Sequence, residues 1–211
     1  MQNIKGAIFD LDGVIVDTAK YHYLAWKRLA NEMGFDFSEK DNERLKGVSR
    51  TRSLEILLEL GGITKTAEEQ EALCAKKNDW YVESIQSIDE SEILKGAKEY
   101  LEELRAKGIK TALGSASKNA VPILKGLGIV GLFDVIIDGN KVSKAKPDPE
   151  VFVRAAQEMG LDPKDCVVFE DAEAGIEAAK AGGMYAIGIG SREALPKADE
   201  NIAGLFEMLG K

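Results

Sequence analysis

From about residue 94 onward the chain alternates helix-like and strand-like stretches, and no other feature restricts its possible folds as strongly. Helical spacing over 97–107 precedes an apolar run at 109–113, and a helix over 120–127 precedes a strand at 135–137. The alternation continues with a helix over 149–159, a strand at 167–169, a helix over 172–181 and a strand at 185–189. One more short helix is expected near 205–209. Strands separated by helices run parallel in one sheet covered on both faces, and such sheets bind ligands beyond the carboxyl ends of their strands. The expected class is therefore α/β, a doubly wound parallel Rossmann-like sheet.

The first part of the chain reads differently. A single apolar strand at 7–9 is followed by four helices with no strand between them. The first, over 18–33, sets Tyr21, Leu24, Ala25, Leu29 and Met33 at helical spacing and stops at Gly34. Shorter helices are expected over 38–46 and 53–60, the latter closed by Gly61-Gly62. A capping box at Thr66 and Glu69 opens a longer one running to about residue 85. Consecutive helices form a bundle, so 17–89 is expected to be an inserted four-helix cap domain and 1–16 with 90–211 the α/β core. The hinges are expected near 16–17 and 88–92.

Length and charge narrow the partners. A chain of 211 residues suits one α/β domain with a small insertion. With 28 basic against 36 acidic residues, a net charge of −8 and no basic run, nucleic acid and membrane surfaces are poor partners. No stretch approaches the roughly 20 apolar residues of a membrane span, and the first residues lack a secretory core, so a cytoplasmic location is expected. Cys74 and Cys166 lie in no CxxC pattern, which predicts reduced structural thiols.

Chemistry enters where the first strand ends, at Asp10-Leu11-Asp12-Gly13. Carboxylates two residues apart repel each other, and a site that keeps both ionised holds a cation or shares a proton. Gly13 supplies a backbone conformation closed to other residues. Taken alone, the two acids also fit a turn and a helix cap.

Three further pairs stand in order after strands or before helices: Gly114-Ser115, Lys146-Pro147 and Glu170-Asp171. With Asp10-x-Asp12-Gly13-Val14-x-x-Asp17-Thr18 they resemble the motifs of the haloacid dehalogenase superfamily across essentially the whole chain. That resemblance implies a HAD-like core and phosphoryl transfer through an aspartyl-phosphate, with Asp10 as nucleophile and Asp12 as general acid and base. Ser115 would donate to the transferring phosphate and Lys146 would neutralise it. One Mg2+ would be held by Asp10, the main-chain carbonyl of Asp12 and Asp171, with Glu170 alongside directly or through water.

The cap-side residues narrow the likeness. His22-Tyr23-Leu24-Ala25-Trp26, Leu45-Lys46-Gly47-Val48-Ser49-Arg50, Lys77-Asn78-Asp79 and Ser115-Ala116-Ser117-Lys118-Asn119 resemble the β-phosphoglucomutase family. This implies exchange of β-glucose 1-phosphate and glucose 6-phosphate, with β-glucose 1,6-bisphosphate as intermediate and activator. A bisphosphate that turns over needs a second phosphate pocket, assigned by resemblance to Arg50, Ser117 and Asn119; an arginine fork suits a phosphate that stays put. Trp26, Lys46, Gly47, Val48, Ser53, Lys77, Ala116 and Lys118 would complete the substrate side. Thr18 and His22 would serve catalysis, His22 by coupling Asp12 to Lys77 so that proton transfer waits for closure. A monomer acting on small-molecule sugar phosphates is expected. The enzyme alternative is a phosphatase of the same fold acting on a sugar phosphate or phosphoglycolate. The presence of Asp10, Asp12, Ser115, Lys146 and Asp171 argues against a binding module without chemistry. Two departures stand out: Ala172 where a serine is common, and a short region after Gly190 that leaves the last strand and its packing open.

Overall fold

Ala7 and Phe9 of the first strand, β1 (Gly6–Phe9), enter one hydrophobic cluster while Ile8 enters another, so four residues bury both faces of the strand. The computed structural model describes residues 4–45 and 48–211. The other strands are β2 (Lys110–Gly114), β3 (Val135–Ile137), β4 (Cys166–Glu170), β5 (Tyr185–Ile189) and β6 (Glu200–Ile202). All pair in parallel, in the order β3-β2-β1-β4-β5-β6. The same alternation runs across the sheet: Leu113, Val167, Phe169 and Ile187 join Phe9, whereas Ala112, Cys166, Val168 and Ala186 join Ile8.

Helices cover each face. α5 (Ala97–Ala106) and α6 (Ala120–Gly126) pack on the Phe9 side through Tyr100, Leu101, Leu104, Ile123 and Leu124. α7 (Glu150–Glu158) and α8 (Glu173–Ala181) pack on the Ile8 side through Val151, Phe152 and Ile176. Phe9 stacks on Phe169 with ring centroids 4.9 Å apart and takes Tyr100 and Phe133 edge-on at 6.2 and 6.4 Å. Rings arranged this way add to the burial of apolar area.

Between β1 and α5 lie α1 (Ala19–Glu32), α2 (Glu39–Asn42), α3 (Arg50–Gly61) and α4 (Ala67–Ile85). α1 and α3 share a separate cluster built on Trp26, Leu29, Leu54 and Leu57 with Phe37 from the loop between, and Leu73, Cys74 and Trp80 of α4 pack against it. The chain enters and leaves this helical layer through two segments that touch: Val16 bridges Ile93, and Leu94 N donates to Ile15 O at 2.9 Å.

Several expectations shift in detail. The predicted helix over 53–60 begins earlier, at Arg50, because Ser49 caps it by accepting from Arg52 N at 3.2 Å. The helix over 38–46 becomes α2 and a 3-10 turn at Glu43–Leu45, and Lys46 falls outside the described residues. The chain after Gly190 supplies β6, a strand absent from the sequence reading, which pairs Ile187 with Glu200 and Ile189 with Ile202. The stretch near 205–209 is a 3-10 turn, Leu205–Met208, whose Leu205 and Met208 are buried in the Phe9 cluster. Cys74 and Cys166 are free thiols. Among the described residues no helix is long and apolar enough to cross a membrane.

Phe9→Ala is expected to cost about 3–5 kcal/mol, since it opens a void among three other rings in a fully buried cluster. Urea unfolding followed by far-UV circular dichroism measures it. A loss below about 1 kcal/mol would show that the cluster collapses around the gap.

Candidate active site

The strand order reverses at β1, whose two neighbours are β2 and β4, so the carboxyl ends of these three strands lie side by side. Each end carries a polar residue in a fixed place. Asp10 N donates to Phe169 O at 3.0 Å, and Ser115 N donates to Ile137 O at 3.0 Å. Glu170 closes β4 and is fully buried. Lys146, from the loop before α7, donates to Asp10 Oδ1 at 2.7 Å and to Glu170 Oε2 at 2.8 Å. Burial works against its ammonium, but Asp10 and Glu170 outweigh that and raise its pKa. Burial and then Asp10 push Glu170 up to about 8, with Lys146 pulling the other way. Removing one member of a buried charge cluster leaves another unpaired, at about 3–5 kcal/mol.

Carboxylate oxygens of Asp10, Glu170 and Asp171 lie within 4.8 Å of one another. A compact set of hard oxygen donors fits Mg2+. Two glycines keep the space open. Gly13 has φ +77, and a Cβ there would stand 2.1 Å from Asp171 Oδ2. At Gly175, inside α8, a Cβ would fall 2.0 Å from the Glu170 carboxyl. Sequence reasoning passed over Gly175, although a glycine within a helix costs about 1 kcal/mol against alanine and so signals a close approach.

Asp12 lies on the other side of the turn. Thr18 Oγ1 donates to its Oδ1, and burial followed by the charge of Asp10 pushes it up to about 8. Thr18 O accepts from His22 N at 3.1 Å, and His22 Nδ1 lies 2.7 Å from Lys77 Nζ. His22 is thus joined to Asp12 through Thr18 rather than directly. Burial, then Lys77 and Arg50, hold His22 well below its ordinary value, so its ring stays neutral beside Lys77. Lys77 is only 2% exposed, with its Nζ 4.6 Å from the Trp26 ring and 4.8 Å from the Tyr81 ring. Burial and Arg50 lower it to about 7, while Asp12 opposes them. Tyr81, one helical turn beyond Lys77, stacks on His22 at 3.9 Å. Its hydroxyl is buried with no hydrogen-bond partner among the described residues. The i,i+4 spacing from Lys77 is the sequence signal that could have found it.

A cleft of about 1280 Å³ joins these groups. Asp10, Asp12, Ser115, Lys146 and Asp171 line one wall; His22, Trp26, Val48, Arg50, Ser53 and Lys77 line the other. Thr18 and Glu170 lie behind that surface. Ala116, Ser117, Lys118 and Asn119 form a loop along the rim, in which Ser117 N donates to Ser115 Oγ at 3.1 Å and Asn119 N to Ser117 Oγ at 3.2 Å. Asn78 joins Arg50 to Asn119 by side-chain hydrogen bonds and was not among the expected site residues. Lys46 and Gly47 lie outside the described residues. Chemically, a carboxylate beside a bound lysine, a second carboxyl that keeps its proton near neutrality and an acidic metal pocket equip the cleft for phosphoryl transfer.

The haloacid dehalogenase-like hydrolase family model matches residues 4–183. A β-phosphoglucomutase of Bacillus subtilis is 44% identical over 93% of this chain and 88% of its own. A phosphorylated carbohydrates phosphatase of Thermotoga maritima is 33% identical over 87% of this chain and 84% of its own. The crystal structure of a β-phosphoglucomutase from Clostridium difficile superposes with a TM-score of 0.94 at 41% identity, covering 98% of this chain and 94% of that one.

Gly175→Ala is expected to weaken Mg2+ binding by about tenfold or more by pushing Glu170 out of the acidic set, while leaving the helix intact. Calorimetric titration with magnesium, alongside circular dichroism, reads both. Unchanged affinity would mean that Glu170 yields without affecting the pocket.

Proposed function

The chain belongs to the haloacid dehalogenase-like hydrolase family, and we propose that it uses this family's phosphoryl transfer as a mutase. Its reaction interconverts β-glucose 1-phosphate and glucose 6-phosphate through an aspartyl-phosphate and β-glucose 1,6-bisphosphate. The observation that carries this reading is one cleft with cationic groups for two phosphates: Lys146 beside Asp10, and Arg50 with Asn119 at the opposite rim. Likeness over nearly the whole chain to β-phosphoglucomutases supports the choice of sugar. For the site, we treat 17–89 as a cap over the α/β core.

Asp10 is the nucleophile. Its carboxylate oxygen bonds to phosphorus as the bond from phosphorus to the leaving sugar oxygen breaks. A carboxyl held at about 8 keeps its proton near neutral pH, so Asp12 can give that proton to the leaving oxygen and take it from the attacking hydroxyl in the second half. Ser115 and Lys146 bind the oxygens of the transferring phosphate. Asp10, the main-chain carbonyl of Asp12 and Asp171, with Glu170 beside them, would hold Mg2+, which would supply positive charge against those oxygens. Arg50, Ser117 and Asn119 hold the phosphate that stays. Lys77 and His22 link the cap to Asp12 through Thr18, so that proton transfer is coupled to the cap's position. A cap drawn over the cleft excludes water and protects the acyl phosphate until a sugar hydroxyl arrives.

The test is an assay with β-glucose 1-phosphate and Mg2+ that follows glucose 6-phosphate and free phosphate together, with and without the bisphosphate. Glucose 6-phosphate in large excess, stimulated by the bisphosphate, is expected; free phosphate as main product would move the assignment to a carbohydrate phosphatase. Asp10→Asn is expected to abolish covalent phosphate, which intact-protein mass spectrometry detects, and any surviving phosphoenzyme would relocate the nucleophile. Arg50→Ala is expected to weaken sugar-phosphate use by about 10- to 150-fold, the range for a lost hydrogen bond to a charged group. A matching loss with acetyl phosphate would assign Arg50 to folding or to the core site.

A further inference from the structure

One oxygen takes hydrogen bonds from both sides of the cleft. Asn78 Oδ1, on α4, accepts from Arg50 Nη2 at 2.7 Å and from Asn119 Nδ2 at 2.9 Å. Arg50 begins α3, whereas Asn119 precedes α6 on the sheet side. Neither donor is used as its position would suggest. Arg50 is half-buried, and among the described residues no carboxylate lies within ion-pairing distance of it. Burial accordingly lowers its pKa. Asn119 occupies the N-cap position of α6, where an asparagine side chain ordinarily accepts from the first turn, yet it makes no such bond. A partly desolvated guanidinium and an asparagine withheld from its own helix thus converge on a neutral amide oxygen.

We propose that Asn78 is a positioning residue that stands in for the non-transferring phosphate: it holds Arg50 and Asn119 together in the ligand-free chain and releases them when a phosphate enters. This rests on the reading of Arg50 and Asn119 as the second phosphate pocket. The choice of an amide follows from strengths. The bond from the guanidinium to the amide carries charge on one side only, whereas a phosphate adds its own charge and can take the arginine fork bidentately, so the amide aligns the guanidinium and yields it to a phosphate. A carboxylate at the same place has nearly the same shape and would keep the arginine for itself. An alanine would leave the two donors without a common acceptor. Residue 78 therefore discriminates between ligands, acting on those with a phosphate remote from the reacting one and hardly at all on small acyl phosphates.

The experiment compares Asn78→Asp and Asn78→Ala, each alone and combined with Arg50→Ala, using β-glucose 1-phosphate with the bisphosphate and, separately, acetyl phosphate. Asn78→Asp is expected to raise KM for the sugar phosphate by about tenfold or more, well beyond any fall in kcat and well beyond its effect on acetyl phosphate. Asn78→Ala is expected to raise it by about two- to tenfold, since it removes the alignment but leaves both donors free to meet the phosphate, and supplies the same comparison if the aspartate variant folds poorly. Both effects should shrink to within about twofold once Arg50 is alanine, because the residue acts through that side chain. Equal losses on the two substrates, or losses that persist in full without Arg50, would overturn the proposal. If Arg50→Ala alone leaves the sugar-phosphate KM unchanged, the second-pocket reading falls with it. A null result at position 78 with a large effect at Arg50 removes only the role of Asn78.

Discussion

Lys146 stands between Asp10 and Glu170 with almost no access to water, and the organisation of the sheet follows from the need to keep that cluster together. Buried carboxylates are tolerable only when charge and hydrogen bonds answer them. The answer requires three chain segments to end within a few ångströms of one another, and parallel pairing of β1 with β2 and β4 provides it. Backbone bonds from Asp10 to β4 and from Ser115 to β3 make the spacing a property of the ladder rather than of flexible side chains. Gly13 and Gly175 complete it by standing aside for Asp171 and Glu170.

The helical layer contributes cations that are not already neutralised. In a chain of net charge −8 most lysines and arginines lie in exposed pairs such as Lys20 with Glu92 and Lys180 with Asp199. Those pairs contribute little to stability and offer nothing to an anion. Lys77 and Arg50 differ. One is enclosed by His22 and two aromatic rings, the other is held by an amide, and both face the carboxylate wall across the same cleft. Positive charge without a carboxylate partner can bind an acidic substrate even in an acidic protein.

What could be read in advance divides along a physical line. Local signals carried well: the Thr66 and Glu69 capping box is formed, and the alternation after residue 94 became the parallel sheet. The acidic motifs at strand ends were legible because apolar strands rarely finish on paired carboxylates. Features that depend on a distant partner were not. β6 has two polar residues among its three and exists because β5 presents an edge to it. Lys77 sits in a polar run with Lys76, Asn78 and Asp79, and only the arrival of His22 and Trp26 from α1 encloses it. Asn78 was visible as part of a motif, but its function as an acceptor needs Asn119, which lies in another layer. The start of α3 was missed for a smaller reason, since Ser49 as a cap places Arg50 inside the helix.

The position of β1 has a consequence for the order of assembly. It is one of the two central strands and is made before the other five, yet Gly6 pairs with Lys110 on one side and with Cys166 on the other. Its apolar faces must wait until the helical layer, α5 and most of the sheet have been made, and long-range closure of this kind slows folding. The helical layer has a cluster of its own and can condense during that wait. The first strand of the sheet is thus enclosed only once β4 arrives, and Asp10, the proposed nucleophile, is set in place only when the sheet closes around the strand that carries it.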